Sequence, residues 1–141
     1  MFAIVSLAWI VAAAPAEGCG VSFVDGWTPQ APPVAMMWAG YGTLRNDSGR
    51  SVTISDATSP DFAMAQIHET REEGGQERMH RIDPLTVPAG GRVALAPRGK
   101  HLMLMRPTHA LEQAQAVVVE FHVDGCAVPV RATLPIRRSA D

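Results

Sequence analysis

Residues 64–82 read MAQIHETREEGGQERMHRI, and the punctuation of this stretch decides the fold. Two runs of extended-segment composition, 64–71 and 76–82, flank Gly74-Gly75, a dipeptide that accepts the positive backbone angles of a two-residue hairpin turn. The reading is a β-hairpin with two admissible registers. If Glu73-Gly74 form the loop, His68 pairs directly with Met79. If Gly74-Gly75 form it, Met79 pairs with Thr70 and His68 becomes its diagonal neighbour. In both registers His68 and Met79 share a face.

The same grammar extends outward. Residues 20–25, 36–44, 51–57, 92–96, 101–105, 116–123 and 127–136 read as further short extended segments. Turn residues separate them at 29–33, 46–49, 89–91, Arg98-Gly99 and Asp124-Gly125. Residues 27–33 read as a loop, and only residues 109–115 admit a single helical turn. Evenly spaced short strands with Gly/Pro turns imply an all-β, antiparallel sandwich or barrel of eight or nine strands.

A chain of 141 residues suits one domain. The formal net charge of -2 and the 18% charged fraction exclude the basic face of a nucleic-acid binder. Residues 2–14 form an apolar run too short to span a bilayer. Ala14-Pro15-Ala16 follows, a small-x-small cleavage pattern, although no Lys or Arg precedes the run. The expectation is a signal peptide over 1–16 and a single domain over 17–141, exported to the periplasm. A buried N-terminal element is the alternative.

Export suits the two cysteines. In an oxidising compartment Cys19 and Cys126 can form one disulfide that ties an N-terminal strand to a late one. Two unlinked thiols are the alternative. Lipidation of Cys19, with membrane association, is a third option, for which Ala16-Glu17-Gly18 is a poor context.

The chemistry lies in a spacing: His68, ten residues, Met79, twenty-one residues, His101, one residue, Met103. Two imidazoles and two thioethers make a neutral, soft ligand set that suits monovalent copper better than zinc, calcium or magnesium. His101 and Met103, two apart on one strand, share a face. Met105 shares it too and reads as core, with an auxiliary metal ligand as the alternative. His80 and His122 are expected on outward strand faces and His109 in a loop. Glu69, Glu72, Glu73 and Glu77 read as a solvated hairpin rim. The bland alternative makes Met79 and Met103 core residues and both histidines incidental.

The spacing is the signature of the PCuAC family of periplasmic copper chaperones, which this chain resembles. The match takes in Ile67-His68-Glu69-Thr70, Arg78-Met79, Val87-Pro88-Ala89-Gly90-Gly91 and His101-Leu102-Met103-Leu104-Met105, and extends to residues 117–123. The resemblance implies a cupredoxin-like, Greek-key β-sandwich that binds one Cu(I) per chain through His68, Met79, His101 and Met103. It further implies a monomer that delivers copper to the CuA-bearing subunit of cytochrome c oxidase, alongside a Sco-type thiol protein. Thr70 stands where many relatives carry a Met, and Trp27-Thr28-Pro29 where they carry Trp-x-Arg. The residues 137–141 lack a His/Met-rich tail, so a second, Cu(II)-binding tail site is not expected.

Thioethers stay neutral and form no disulfides, so the set works where thiolates would oxidise. Two other classes compete with the carrier. An electron-transfer cupredoxin needs a Cys thiolate beside two histidines, and neither cysteine sits in such a cluster. A metal-free assembly or adhesion module predicts no copper binding. No nucleophile-base pair, supported carboxylate dyad or phosphate loop points to an enzyme.

Overall fold

A computed structural model describes residues 18–138; the signal peptide expected over 1–16 lies outside the described residues. After a 3-10 turn at Gly18–Gly20, ten strands follow: β1 (Val21–Pro29), β2 (Met37–Asn46), β3 (Val52–Thr58), β4 (Phe62–Glu73), β5 (Gln76–Arg81), β6 (Leu85–Val87), β7 (Arg92–Leu95), β8 (Lys100–Pro107), β9 (Ala116–Val123) and β10 (Val130–Arg137).

The all-β class is as expected, but the architecture differs from two stacked sheets. The ladder runs β4-β8-β2-β1-β10-β9-β3 and returns to β4 through Ala57 opposite Ala65, so the sheet closes on itself like a barrel. It is also not purely antiparallel. β1 and β10, the first and last strands, run parallel through Thr28–Ile136 and Pro29–Arg137. This contact draws β1 through Pro29, so the loop expected from Trp27 begins only after it. Closure leaves β4 with one edge to share. β3 meets it at Ala65, and β5 takes it from His68 to Glu73.

Strict alternation builds the core. In β9 and β10, Val117, Val119, Phe121, Val123, Val130, Ala132, Leu134 and Ile136 point inward and are buried, while the residues between them, Glu120, His122, Arg131 and Thr133 among them, are half-buried or exposed. Phe62, Leu44, Leu102 and Leu104 complete the interior. Phe121 packs on Phe23 with ring centroids 5.0 Å apart. The Phe23 ring lies so close to Gly42 that a Cβ there would meet it at 2.4 Å. Only glycine fits, and the Gly42 φ of 150° suits it as well.

Two further ties hold the loops, of which only the disulfide was expected. Buried Asn46 donates from Nδ2 to the carbonyls of Arg50 (2.7 Å), Val87 (3.1 Å) and Pro88 (3.1 Å). Its Oδ1 accepts from the Ser48 backbone N–H (3.0 Å) and hydroxyl (2.7 Å). Cys19 and Cys126 form a disulfide across 107 residues of sequence, which consumes the sulfur that lipidation of Cys19 would need. Residues 109–115 hold turns, with Ala114 donating to the Leu111 carbonyl, rather than a helix.

Candidate metal centre

The β4–β5 hairpin turns on Gly74 and Gly75, whose φ angles of 58° and 80° are both left-handed, as a tight hairpin turn requires. That choice fixes the register at Glu73–Gln76, Thr70–Met79 and His68–Arg81. Of the two admissible pairings, Met79 therefore faces Thr70 and is the diagonal neighbour of His68. Met79 stands on the outermost strand and is 60% exposed.

On the other side of β4 lies β8, where His68 pairs directly with His101 and Gln66 with Met103. The two imidazoles face each other with centroids 6.2 Å apart and planes inclined by 34°. Met103 lies one pairing step to one side of this couple and Met79 one step to the other. All four side chains thus belong to one face, with the imidazoles central and the thioethers flanking. Neither methionine lies in the core.

Hydrogen bonds leave one lone pair free on each ring. His101 is only 6% exposed. Its Nδ1 donates to the Gly99 carbonyl at 3.1 Å, because a carbonyl can only accept, so Nε2 keeps its lone pair. His68 Nε2 bonds to Gln66 Oε1 at 2.9 Å. Its Nδ1 is buried without a hydrogen-bond partner. An unsatisfied buried nitrogen costs stability, and metal ligands are oriented in this way by bonds to the other ring nitrogen. Burial pushes the pKa of His68 below its ordinary 6.5, and the neighbouring His101 and Arg81 push in the same direction. The ring is thereby held neutral, which ligation requires.

The remaining expectations fall out as follows. Met105 lies on the outward face, half-buried, with Met37 and Met64 directly opposite it on β2 and β8's other neighbour β4, and is not part of the core. His80 faces the other way, opposite Glu69, with Nε2 2.8 Å from Glu73 Oε1. His122 bonds to Thr58 Oγ1 at 2.9 Å and His109 to Asp61 Oδ1 at 2.7 Å, both away from the site. Glu69 is not simply solvated. It accepts from Arg71 at 3.0 Å and from Lys100 at 3.4 Å, pinning the hairpin to the start of β8. Gln66, which lies on the strand face of His68, and the carbonyl of Gly99 in the turn before β8 were missed, although each is two residues before a histidine. Among the described residues, no three His, Cys, Asp or Glu side chains group to hold a metal.

The chain is similar to several known proteins. The family model "Putative lipoprotein LpqE-like" matches residues 21–136. A protein of Leifsonia xyli subsp. xyli named "Putative lipoprotein Lxx21020" is 33% identical over 113 residues, which is 79% of this chain and 67% of that protein. The copper-bound PCuAC domain of PmoF2 superposes with a TM-score of 0.68 at 18% identity, over 85% of this chain and 94% of that domain. The Cu(I) solution structure of DR1885 from Deinococcus radiodurans superposes at 0.60 with 27% identity, over 89% of this chain and 81% of that one. Its apo form gives 0.61 at 26% identity, over 97% and 93%. The chain belongs to the LpqE-like family, and its fold is that of the PCuAC domains.

Proposed function

We propose that this protein is an exported copper carrier that holds one Cu(I) per chain through His68, Met79, His101 and Met103. The observation that supports it most is the facing pair His68–His101, each ring with one lone pair left free by a hydrogen bond to the other nitrogen. Neutral imidazoles and thioethers match a soft monovalent ion. A DR1885 structure holds Cu(I) on a related chain.

The exposed Met79 suits transfer, since an acceptor's ligands can enter stepwise at that edge of the site. The acceptor in this reading is the CuA-bearing subunit of cytochrome c oxidase or a related cuproenzyme, with a Sco-type thiol protein alongside. The protein acts as a monomer, without catalysis, with residues 1–16 removed on export and 17–141 as the working domain. The putative-lipoprotein names of its relatives favour export. A lipid anchor on Cys19 is disfavoured, because its sulfur is in the disulfide.

The electron-transfer reading is disfavoured for the same reason: both cysteines are oxidised to one disulfide, leaving no thiolate for a blue-copper centre. Anaerobic Cu(I) titration of the mature domain tests the carrier. Tight binding that weakens in Met103→Leu and His101→Ala is expected. Unchanged affinity in both variants rejects this ligand set.

A further inference from the structure

Three methionines outside the proposed ligand set stand in one cross-strand row. Met105 on β8 is directly opposite Met37 on β2 and Met64 on β4. Directly paired residues share a face, with Cβ atoms about 5 Å apart. Met37 is 58% exposed, Met64 36%, and Met105 half-buried. Methionines placed to fill a core would not stand in solvent.

We propose that Met37, Met64 and Met105 form a second Cu(I) site, a three-thioether cradle weaker than the first. This rests on the reading that the protein carries Cu(I). The unbranched side chains have the torsional freedom to turn three sulfurs toward one ion, and an all-sulfur neutral set selects a soft monovalent cation. Along β8 the residues alternate His101, Met103, Met105 on this face, so Met103 is the ligand of the first site that stands next to the second. It is paired with Gln66 on one side and with the small Ala39 on the other. Copper arriving at the exposed methionine row is one pairing step from Met103, which is itself one step from His101.

One group opposes the site. Arg106 Nη2 donates to Met64 Sδ at 3.0 Å, occupying a sulfur lone pair and adding positive charge. Arg106 is exposed and can swing clear. Its presence makes the second site the weaker of the two, and its replacement by Gln should tighten that site alone.

The test is anaerobic Cu(I) titration against a chromophoric chelator, with methionine methyl resonances followed by NMR. Wild type is expected to take a weaker second equivalent, during which the Met37, Met64 and Met105 methyl signals move together. Met37→Leu/Met64→Leu should stop at one equivalent, and R106Q should tighten the second severalfold. A single equivalent in wild type, or a second one that survives the double variant, overturns the proposal. His68→Ala/His101→Ala separates the two claims. Loss of the tight equivalent with retention of the weaker one supports both. Retention of the tight one contradicts the proposed ligand set and leaves the methionine row standing.

Discussion

His68 and His101 sit directly opposite each other on β4 and β8, their ring centroids 6.2 Å apart, and each is steered by a partner two residues earlier in the chain. The Gly99 carbonyl and the Gln66 amide thus choose which nitrogen of each ring is free. Orientation of this kind is worth about 10–100-fold in metal affinity. Gln66→Leu should therefore weaken Cu(I) binding by about that factor with little change in thermal stability, measured by chelator competition and calorimetry.

The lowered pKa of His68 gives a pH dependence with a definite sign. As pH falls through 6.5 the unfolded chain takes up its proton first, so His68 lowers stability progressively down to its own depressed folded pKa. Copper competes with that proton only below the folded value. NMR of the apo protein should show the His68 ring titrating below 6.5, and the Cu(I) affinity owed to this ligand should persist to correspondingly lower pH.

His109 works in the opposite sense. Its hydrogen bond to Asp61 raises its pKa, with a further bond to the Ala110 carbonyl. Its contribution is complete below the ordinary 6.5 and is lost as pH rises through the raised value. His109→Gln should remove this component, seen as a flatter stability profile near neutral pH in urea unfolding, with copper binding unaffected.

Asn46 is buried and uses both ends of its amide. Replacing it with Leu strands backbone groups of the Pro88 and Ser48 turns, at about 1–3 kcal/mol for each buried group left unpaired. Chemical denaturation should show that loss, with the copper site intact.

The disulfide joins residues 107 apart. Breaking it in Cys126→Ser should cost about 2–5 kcal/mol through the freedom restored to the unfolded chain. Cu(I) should still bind, since neither cysteine belongs to the ligand set.

Much of this molecule was legible in its sequence because β-structure writes a period-two pattern. The 116–123 segment was read with its observed bounds, and the Gly74-Gly75 turn was one of two registers the residues allowed. The closed ladder was not legible. It depends on the single Ala57–Ala65 contact and the parallel β1–β10 pairing, which join elements remote in sequence. β6 escaped notice because three residues are too few to show alternation. Met105 was read as core because methionine usually is; only the β2 and β4 registers show that its face is outward. For the site, the spacing placed each His–Met pair on a common face, but that His68 meets His101 head-on follows from β4–β8 pairing, which no local pattern encodes.

The central claim, Cu(I) held by two imidazoles and two thioethers, is tested most directly by X-ray absorption of the protein loaded with less than one equivalent of Cu(I). The account predicts a mixed first shell of nitrogen and sulfur, with the nitrogen contribution lost in His68→Ala/His101→Ala. A shell of sulfur alone in the wild type, or one unchanged in that variant, would contradict it.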